Sequence, residues 1–394
     1  MLGYCTLFIR QTNVFAQSKS SDKSRIKDFG SSLKKFKKKE KDSSKKNDRK
    51  NDLASEETIR VKTDLVVSDV LVVNQKGNAI LGLKQNDFLI TENGIPQKTE
   101  LFSFGENAAL PRSIVLIFDY SGNLPFYIEN SVEAAKTLVD QLSPQDKMAI
   151  VTDEIKLLTD FTNDKARLKT LLESLKKRNR LSSDGSRGES YGALLSVLNE
   201  LFDAETVRPI VIFQTMGGEL FLLKPIVEEF RKYYRERDFS FNDVRTAVEK
   251  SRTTIYTIIP QVSLVGLSEE EKETNIKKML QITSETVWAG KKRDEKLIKE
   301  VVKWHKREMT ANQTALIEIS RISGGYADFL EKAEDAETIY SSIFTVINNR
   351  YVIGYYPTNQ EPDGKRRNVK IEVRGHPEYI VVGRKTYFIP EQEE

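Results

Sequence analysis

The sequence predicts an α/β protein: a doubly wound, mostly parallel sheet of the Rossmann-like kind, with a small accessory β-domain built from N- and C-terminal strands. Three observations carry this. Ser113-Ile114-Val115-Leu116-Ile117-Phe118 runs on without polar alternation, as a strand buried on both faces does. Strand and helix patterns then alternate across residues 111–350, the signature of a parallel sheet with helices on both faces. Short strand-like stretches bounded by turn residues flank that unit, at 53–110 and 351–390. The central run stops on Asp119, and the carboxyl end of such a strand is where open α/β sheets bind their ligands.

The first element in order is residues 1–16, which carry a degenerate signal-peptide pattern: apolar Leu2, Tyr4, Cys5, Leu7, Phe8 and Ile9, an interrupting Arg10, then Val14-Phe15-Ala16. Cys5 is the sole cysteine, which excludes a disulfide scaffold and Cys-based zinc or nucleophile sites. Residues 17–52 read as a basic disordered linker. Between residues 19 and 50 there are 14 Lys/Arg against 5 Asp/Glu, whereas the chain as a whole is only +4. Its sizeable apolar residues, Ile26, Phe29, Leu33 and Phe36, are too few to offset the entropy of ordering it. Its lysine-rich core, Leu33 to Lys39, suits contact with anionic lipid, wall polymer or nucleic acid. No later stretch is apolar enough to span a membrane.

From Thr58 to Phe104 the pattern is β. Val61, Leu65, Val67, Val70 and Val72 suggest one or two strands, Asn74 to Asn78 a turn, and Phe88 to Thr91 a strand entering an Asn93-Gly94 hairpin. So small a β-module is marginal alone. Tyr351 to Tyr356, Asn368 to Val373 and Tyr379 to Val382, with a turn at Pro362-Asp363-Gly364, are expected to complete it. Between these ends the spacing predicts helices over Ser131 to Leu142, Asp164 to Leu175, Ser190 to Leu201, Thr314 to Ile322 and Ala333 to Asn348. Strands are predicted over Met148 to Val151, Pro209 to Phe213, Thr254 to Ile259 and Gly325 to Phe329. Residues 268–310, dense in Glu and Lys and carrying Trp288, Trp304 and His305, read as a helical insertion beside the sheet.

At the end of the central strand three chemistries compete. No Gly-rich phosphate loop follows any strand, which argues against nucleotide binding. An aspartyl phosphatase wants a carboxylate two residues after Asp119, where Ser121 stands. Asp119-x-Ser121-x-Asn123 offers a carboxylate and short oxygen side chains, donors an octahedral Mg²⁺ accepts. Ser121 and Asn123 before Pro125 are equally good helix-capping residues.

The chain resembles von Willebrand factor type A proteins, and more closely the acidobacterial VWFA-related domain family. Its marks are Gly82 to Phe88 with Glu92-Asn93-Gly94, Ile117 to Asn123, Asp160 to Asp164, Thr254 to Ile258, Ser323-Gly324-Gly325 and Tyr351 to Pro357. The resemblance implies a metal-ion-dependent adhesion site at Asp119, Ser121, Asn123 and Ser190. Asn123 stands where that family has a second serine, and Met216 where it has an aspartate. A thioether is a soft ligand and a poor substitute at a hard cation. The implied site is therefore a degenerate one for Mg²⁺, with Glu189, Glu219 and Asp184 as neighbouring carboxylates.

Two function classes follow. One is a non-catalytic, periplasmic or secreted protein-binding module whose partner completes the site, with or without metal. The other is a hydrolase using Asp119 or Ser121, which lacks a G-x-S-x-G elbow and has only His305 and His376 as neutral-pH bases. A tail-mediated polyanion or nucleic-acid binder ranks behind both, for want of a reader motif.

Overall fold

The computed structural model describes residues 24–36, 65–104, 111–120, 125–177, 188–203, 206, 208–223, 237–287 and 295–389. The candidate signal pattern at 1–16 lies outside them, as do Ser121, Asn123, Asp184 and Trp288. Among the described residues no helix is long and apolar enough to cross a membrane.

The β-domain begins with β1 (Val66–Val73), β2 (Phe88–Glu92), β3 (Ile95–Gln97) and β4 (Thr99–Phe104). Asn93 and Gly94 both have positive φ, 49° and 85°, the geometry of a two-residue turn whose twist matches its strands. The α/β unit follows: β5 (Arg112–Phe118), α1 (Pro125–Asp140), β6 (Lys147–Thr152), β7 (Lys156–Thr162), α2 (Lys165–Lys176), α3 (Ser190–Glu200) and β8 (Arg208–Gln214). It continues with α4 (Phe241–Lys250), β9 (Thr254–Ile259), α5 (Glu269–Val287), α6 (Glu295–Ser323), β10 (Ala327–Phe329) and α7 (Ala336–Asn348). The chain then re-enters the β-domain as β11 (Tyr351–Tyr355), β12 (Arg366–Val373), β13 (Ile380–Val382) and β14 (Thr386–Phe388).

Six strands form the central sheet in the order β10-β9-β8-β5-β6-β7. All neighbours are parallel except the β6–β7 pair, which is antiparallel. Counted within the sheet this is the doubly wound order, which reverses between β5 and β8. The central strand is apolar throughout because both faces are covered. Ile114, Leu116 and Phe118 pack under α1, α2 and α7, while Val115 and Ile117 pack under α3, α4 and α6. The antiparallel edge departs from the predicted alternation. A tight turn at Asp153 to Ile155, with Ile155 at φ 55°, returns the chain directly as β7 with no crossover helix.

The far-end strands complete the β-domain as two four-stranded sheets, β13-β1-β11-β4 and β14-β12-β2-β3. They enclose Val70, Val72, Phe88, Ile90, Tyr351 and Val369. Tyr351 stacks on Phe104 at 4.5 Å and meets Phe88 at 5.1 Å. Buried in this core, Glu92 accepts from the Tyr355 hydroxyl at 3.0 Å and the Tyr387 hydroxyl at 2.7 Å, so its carboxyl oxygen is hydrogen-bonded out of reach of water.

The β-domain is fastened to the amino ends of the parallel strands by arginines. Arg208, at the start of β8, donates twice to Asp69 of β1, at 3.1 and 3.0 Å. Arg350 reaches the carbonyls of Asp69 (2.8 Å) and Gly324 (2.6 Å). Arg384 caps the carboxyl end of α4 through Val248 and Glu249 and also holds Thr253. The Ser323-Gly324-Gly325 motif serves this joint: a Cβ on Gly325 would lie 2.0 Å from the Ile255 carbonyl, and one on Gly324 2.6 Å from the Arg384 nitrogen.

The described part of residues 268–310 falls on α5 and the first half of α6, which runs unbroken to Ser323, pairing with α5 at one end around Ile276, Val302 and Met309 and covering β9 at the other. One sequence expectation needs correction. Residues 24–36 are not a linker: they are largely helical and lie on the α/β unit. Ile26, Phe29, Leu33 and Phe36 recur at helical spacing and extend a core that already exists, which removes the need to build one of their own.

Candidate functional site

The site lies at the carboxyl ends of β5 and β8, where the strand order reverses. Asp119 follows β5 directly and is buried; its amide donates to the Gln214 carbonyl at 3.0 Å, continuing the ladder for one residue. One carboxylate oxygen accepts from the Thr215 hydroxyl at 2.6 Å, and that hydroxyl accepts in turn from the Gly217 amide at 2.9 Å. Gly217 is required here: its φ is 66°, and a Cβ would meet Leu316 and the Tyr191 hydroxyl at 3.1 Å. Met216 is half-buried between them.

Ser190 is buried at the first position of α3. Its loop joins that of Asp119 through Asp153, whose amide donates to Phe118 O (3.3 Å) and whose carbonyl accepts from the Glu189 amide (2.7 Å). The structure thus brings Asp119, Ser190 and Met216 to one end of the sheet. Ser121 and Asn123, the other two predicted donors, lie outside the described residues.

Glu189 and Glu219 share one guanidinium. Arg237 lies 2.6 Å from Glu189 and donates to Glu219 at 3.0 Å, and the other Glu219 oxygen accepts from the Tyr191 amide in the first turn of α3, at 2.9 Å. Burial pushes the Glu219 carboxyl up to about 7, against the lowering effect of Arg237 and that amide. Burial likewise raises the Tyr191 hydroxyl, which stays a neutral phenol. Glu189 and Glu219, two of the three carboxylates predicted as neighbours of the site, are therefore held by a cation the protein itself supplies.

Thr215 and Arg237 contact the candidate site residues, and sequence reasoning passes over both. Thr215 could have been found from its position, since the residue after a strand beside the switch point faces the same crevice as Asp119. Nothing local marks Arg237. The two histidines are engaged elsewhere: His305 contacts its own helix at Val301 O (2.9 Å), and His376 pairs with Glu378 (3.0 Å) in an exposed turn. Among the described residues no group of three or more His, Cys, Asp or Glu is placed to hold a metal ion.

The fold is a doubly wound α/β domain with a crevice at the switch point of its sheet, the architecture that resemblance to von Willebrand factor type A domains implies. No protein-family model matches the chain, and no curated protein matches it. Solved structures similar to it include an aerotolerance-related membrane protein from Bacteroides fragilis, at 14% identity and TM-score 0.35, covering 61% of this chain and 99% of that one. Another is the vWF domain of the type V pili tip protein Mfa5 from Porphyromonas gingivalis (12%, TM-score 0.35, 60% and 96%). A third is the manganese-loaded TRAP protein of Plasmodium vivax (10%, TM-score 0.31, 78% and 100%).

Proposed function

We propose that this chain is a non-catalytic, extracytoplasmic protein-binding module of adhesion or assembly type, whose partner docks on the loops at the carboxyl end of the six-stranded sheet. Its metal site is degenerate. The observation that carries this reading is the Asp119–Thr215 bond followed by Met216. Asp119 at the switch point already accepts from a neighbouring hydroxyl, and a thioether follows where a second hard donor would be needed. Arg237 supports it further, because a fixed guanidinium between Glu189 and Glu219 performs the neutralisation that a cation would otherwise supply. The donor set in view does not fit Mg²⁺, and recognition is assigned to the loop surface itself.

The test is thermal unfolding of the full chain in EDTA and then in millimolar Mg²⁺ or Mn²⁺. A cation bound only by the folded state at a hundredfold excess over its Kd would stabilise it by about 2.7 kcal/mol. The expected result is no shift in the native chain and a rise in Met216→Asp. A rise in the native chain that disappears in Asp119→Ala would overturn the degenerate-site reading.

A further inference from the structure

The segment 24–36 is built like a bound peptide. Its apolar face, Ile26, Phe29, Leu33 and Phe36, lies against the core of the α3 side, with Phe36 6.1 Å from Phe239. Its polar contacts with α3 are reciprocal. Arg25 donates to the carbonyls of Glu200 (3.1 Å) and Leu201 (3.0 Å) at the carboxyl end of α3, and to Asp160 at 3.3 Å. Glu200 reaches back, accepting from the amides of Gly30 (2.9 Å) and Ser32 (2.8 Å) and from the Ser32 hydroxyl. A cation thus meets the negative end of one helix while a carboxylate meets the positive end of a short turn.

The seat is shaped for this segment. Gly30 has φ 91°, and a Cβ there would come within 2.8 Å of Ile155. Ile155 is also tight against α3 on another side: a Cβ on Gly192 would lie 3.0 Å from its Cδ1. Ile155 is itself a β-branched residue at φ 55°, a conformation that persists only when its surroundings enforce it. It closes the same turn whose first residue, Asp153, bonds both the Phe118 carbonyl and the Glu189 amide beside the candidate site.

We propose that residues 24–36 are a detachable ligand of the α/β unit, and that the groove along α3 is a recognition site for a basic amphipathic segment of the form Arg-Ile-x-x-Phe-Gly-x-x-Leu-x-x-Phe. The segment occupies it in cis. When seated it wedges Ile155 in its left-handed conformation and so holds the Asp153 turn under the loops of Asp119 and Ser190. Emptying the groove removes one wall of Ile155 and loosens that turn. This does not depend on whether the site takes a metal.

The experiment uses the full chain with a specific protease site inserted between residues 50 and 55, cut after folding. The expected result is that the released fragment co-elutes with the body at micromolar concentration, leaves on dilution, and is displaced by a labelled synthetic peptide of residues 21–39. A Leu33→Asp peptide should bind at least tenfold more weakly. In hydrogen exchange, the Glu189 amide should exchange severalfold faster in the emptied body and slow again when peptide is added. Unfolding or aggregation of the body on cutting would overturn the proposal, since the segment would then be part of the fold. Failure of the peptide to bind an emptied, folded body would overturn it as well, as would exchange of the segment between uncut chains, seen as a dimer, for the cis assignment. An unchanged Glu189 amide would overturn the link to the candidate site.

Discussion

The two ends of the six-stranded sheet solve the same problem, a buried acid beside an arginine, in opposite ways. At the amino end Asp146 is enclosed by Arg112, which donates through its own amide at 3.1 Å and through its guanidinium, while the Ser143 amide adds a further bond at 2.8 Å. Burial works against the charge of Asp146, but Arg112 and Ser143 outweigh it and the carboxyl falls below its usual range. At the carboxyl end Glu219 is just as buried, yet its carboxyl is pushed up to about 7. Its arginine is divided with Glu189. One end is built so that its charges stabilise the fold; the other keeps an acid it could ionise only at a cost. Candidate recognition chemistry lies at the end where polar groups are left costly, as sites do.

The sharpest way to break this contrast is at the amino end. Arg208→Ala leaves Asp69 without its guanidinium beneath the β-domain, and the expected loss is about 3–5 kcal/mol in urea unfolding. A double change, Arg208→Met with Asp69→Leu, should recover much of that, because it removes both charges together. A loss under 1 kcal/mol in Arg208→Ala would mean the arginine fastening is ornamental and the contrast false.

A smaller effect, of opposite sign in pH, is expected from Glu219. Unfolded, the side chain ionises near its ordinary 4.5; folded, it holds its proton to about 7. Between those values the folded state binds more protons, so this group's contribution to stability falls as pH rises and levels off above about 7. The change across the window is about 2–3 kcal/mol. Comparing urea unfolding at pH 5 and pH 7.5, Glu219→Gln should be flatter than the native chain by about that amount. Equal slopes would place the raised acid elsewhere.

The smallest expected effect is Thr215→Val, which removes at nearly constant volume both the hydroxyl's bond to Asp119 and the acceptor of the Gly217 amide. About 1–2 kcal/mol is expected. A loss exceeding that of Arg208→Ala would reverse the ranking of the two ends.

Much of the sheet was legible because burial on both faces writes itself into a strand as an unbroken apolar run, as in Ile114 to Phe118 and Ile210 to Phe213. The Asn93-Gly94 turn and the start of a helix at Asp164, whose carboxylate accepts from the Arg167 amide, were legible because the chemistry is local. The antiparallel β7 was not, since Lys156 to Thr162 differs from a parallel strand only in what precedes it. Asp119 was found as the residue where an apolar run ends, and Ser190 only through family resemblance. Arg237, Arg208 and Arg384 act on partners far away in sequence, and no local pattern announces such pairings. The segment 24–36 was misread because counting its apolar residues ignores that they fall on one face and that a core already waits for them.

The α/β unit is inserted between β4 and β11, which are hydrogen-bonded neighbours, Phe104 opposite Tyr351. Its own ends are likewise tied, Arg112 to Asn348. This arrangement sets an order of assembly on a chain made from its amino end. β1 lies between β11 and β13, so it has no strand partner in its sheet until β11 has been synthesised, whereas every pairing of the six-stranded sheet is internal to residues 112–329. The later unit is thus the template for the earlier strands: by closing, it carries residue 351 back to residue 104 and makes a distant pairing into a short one.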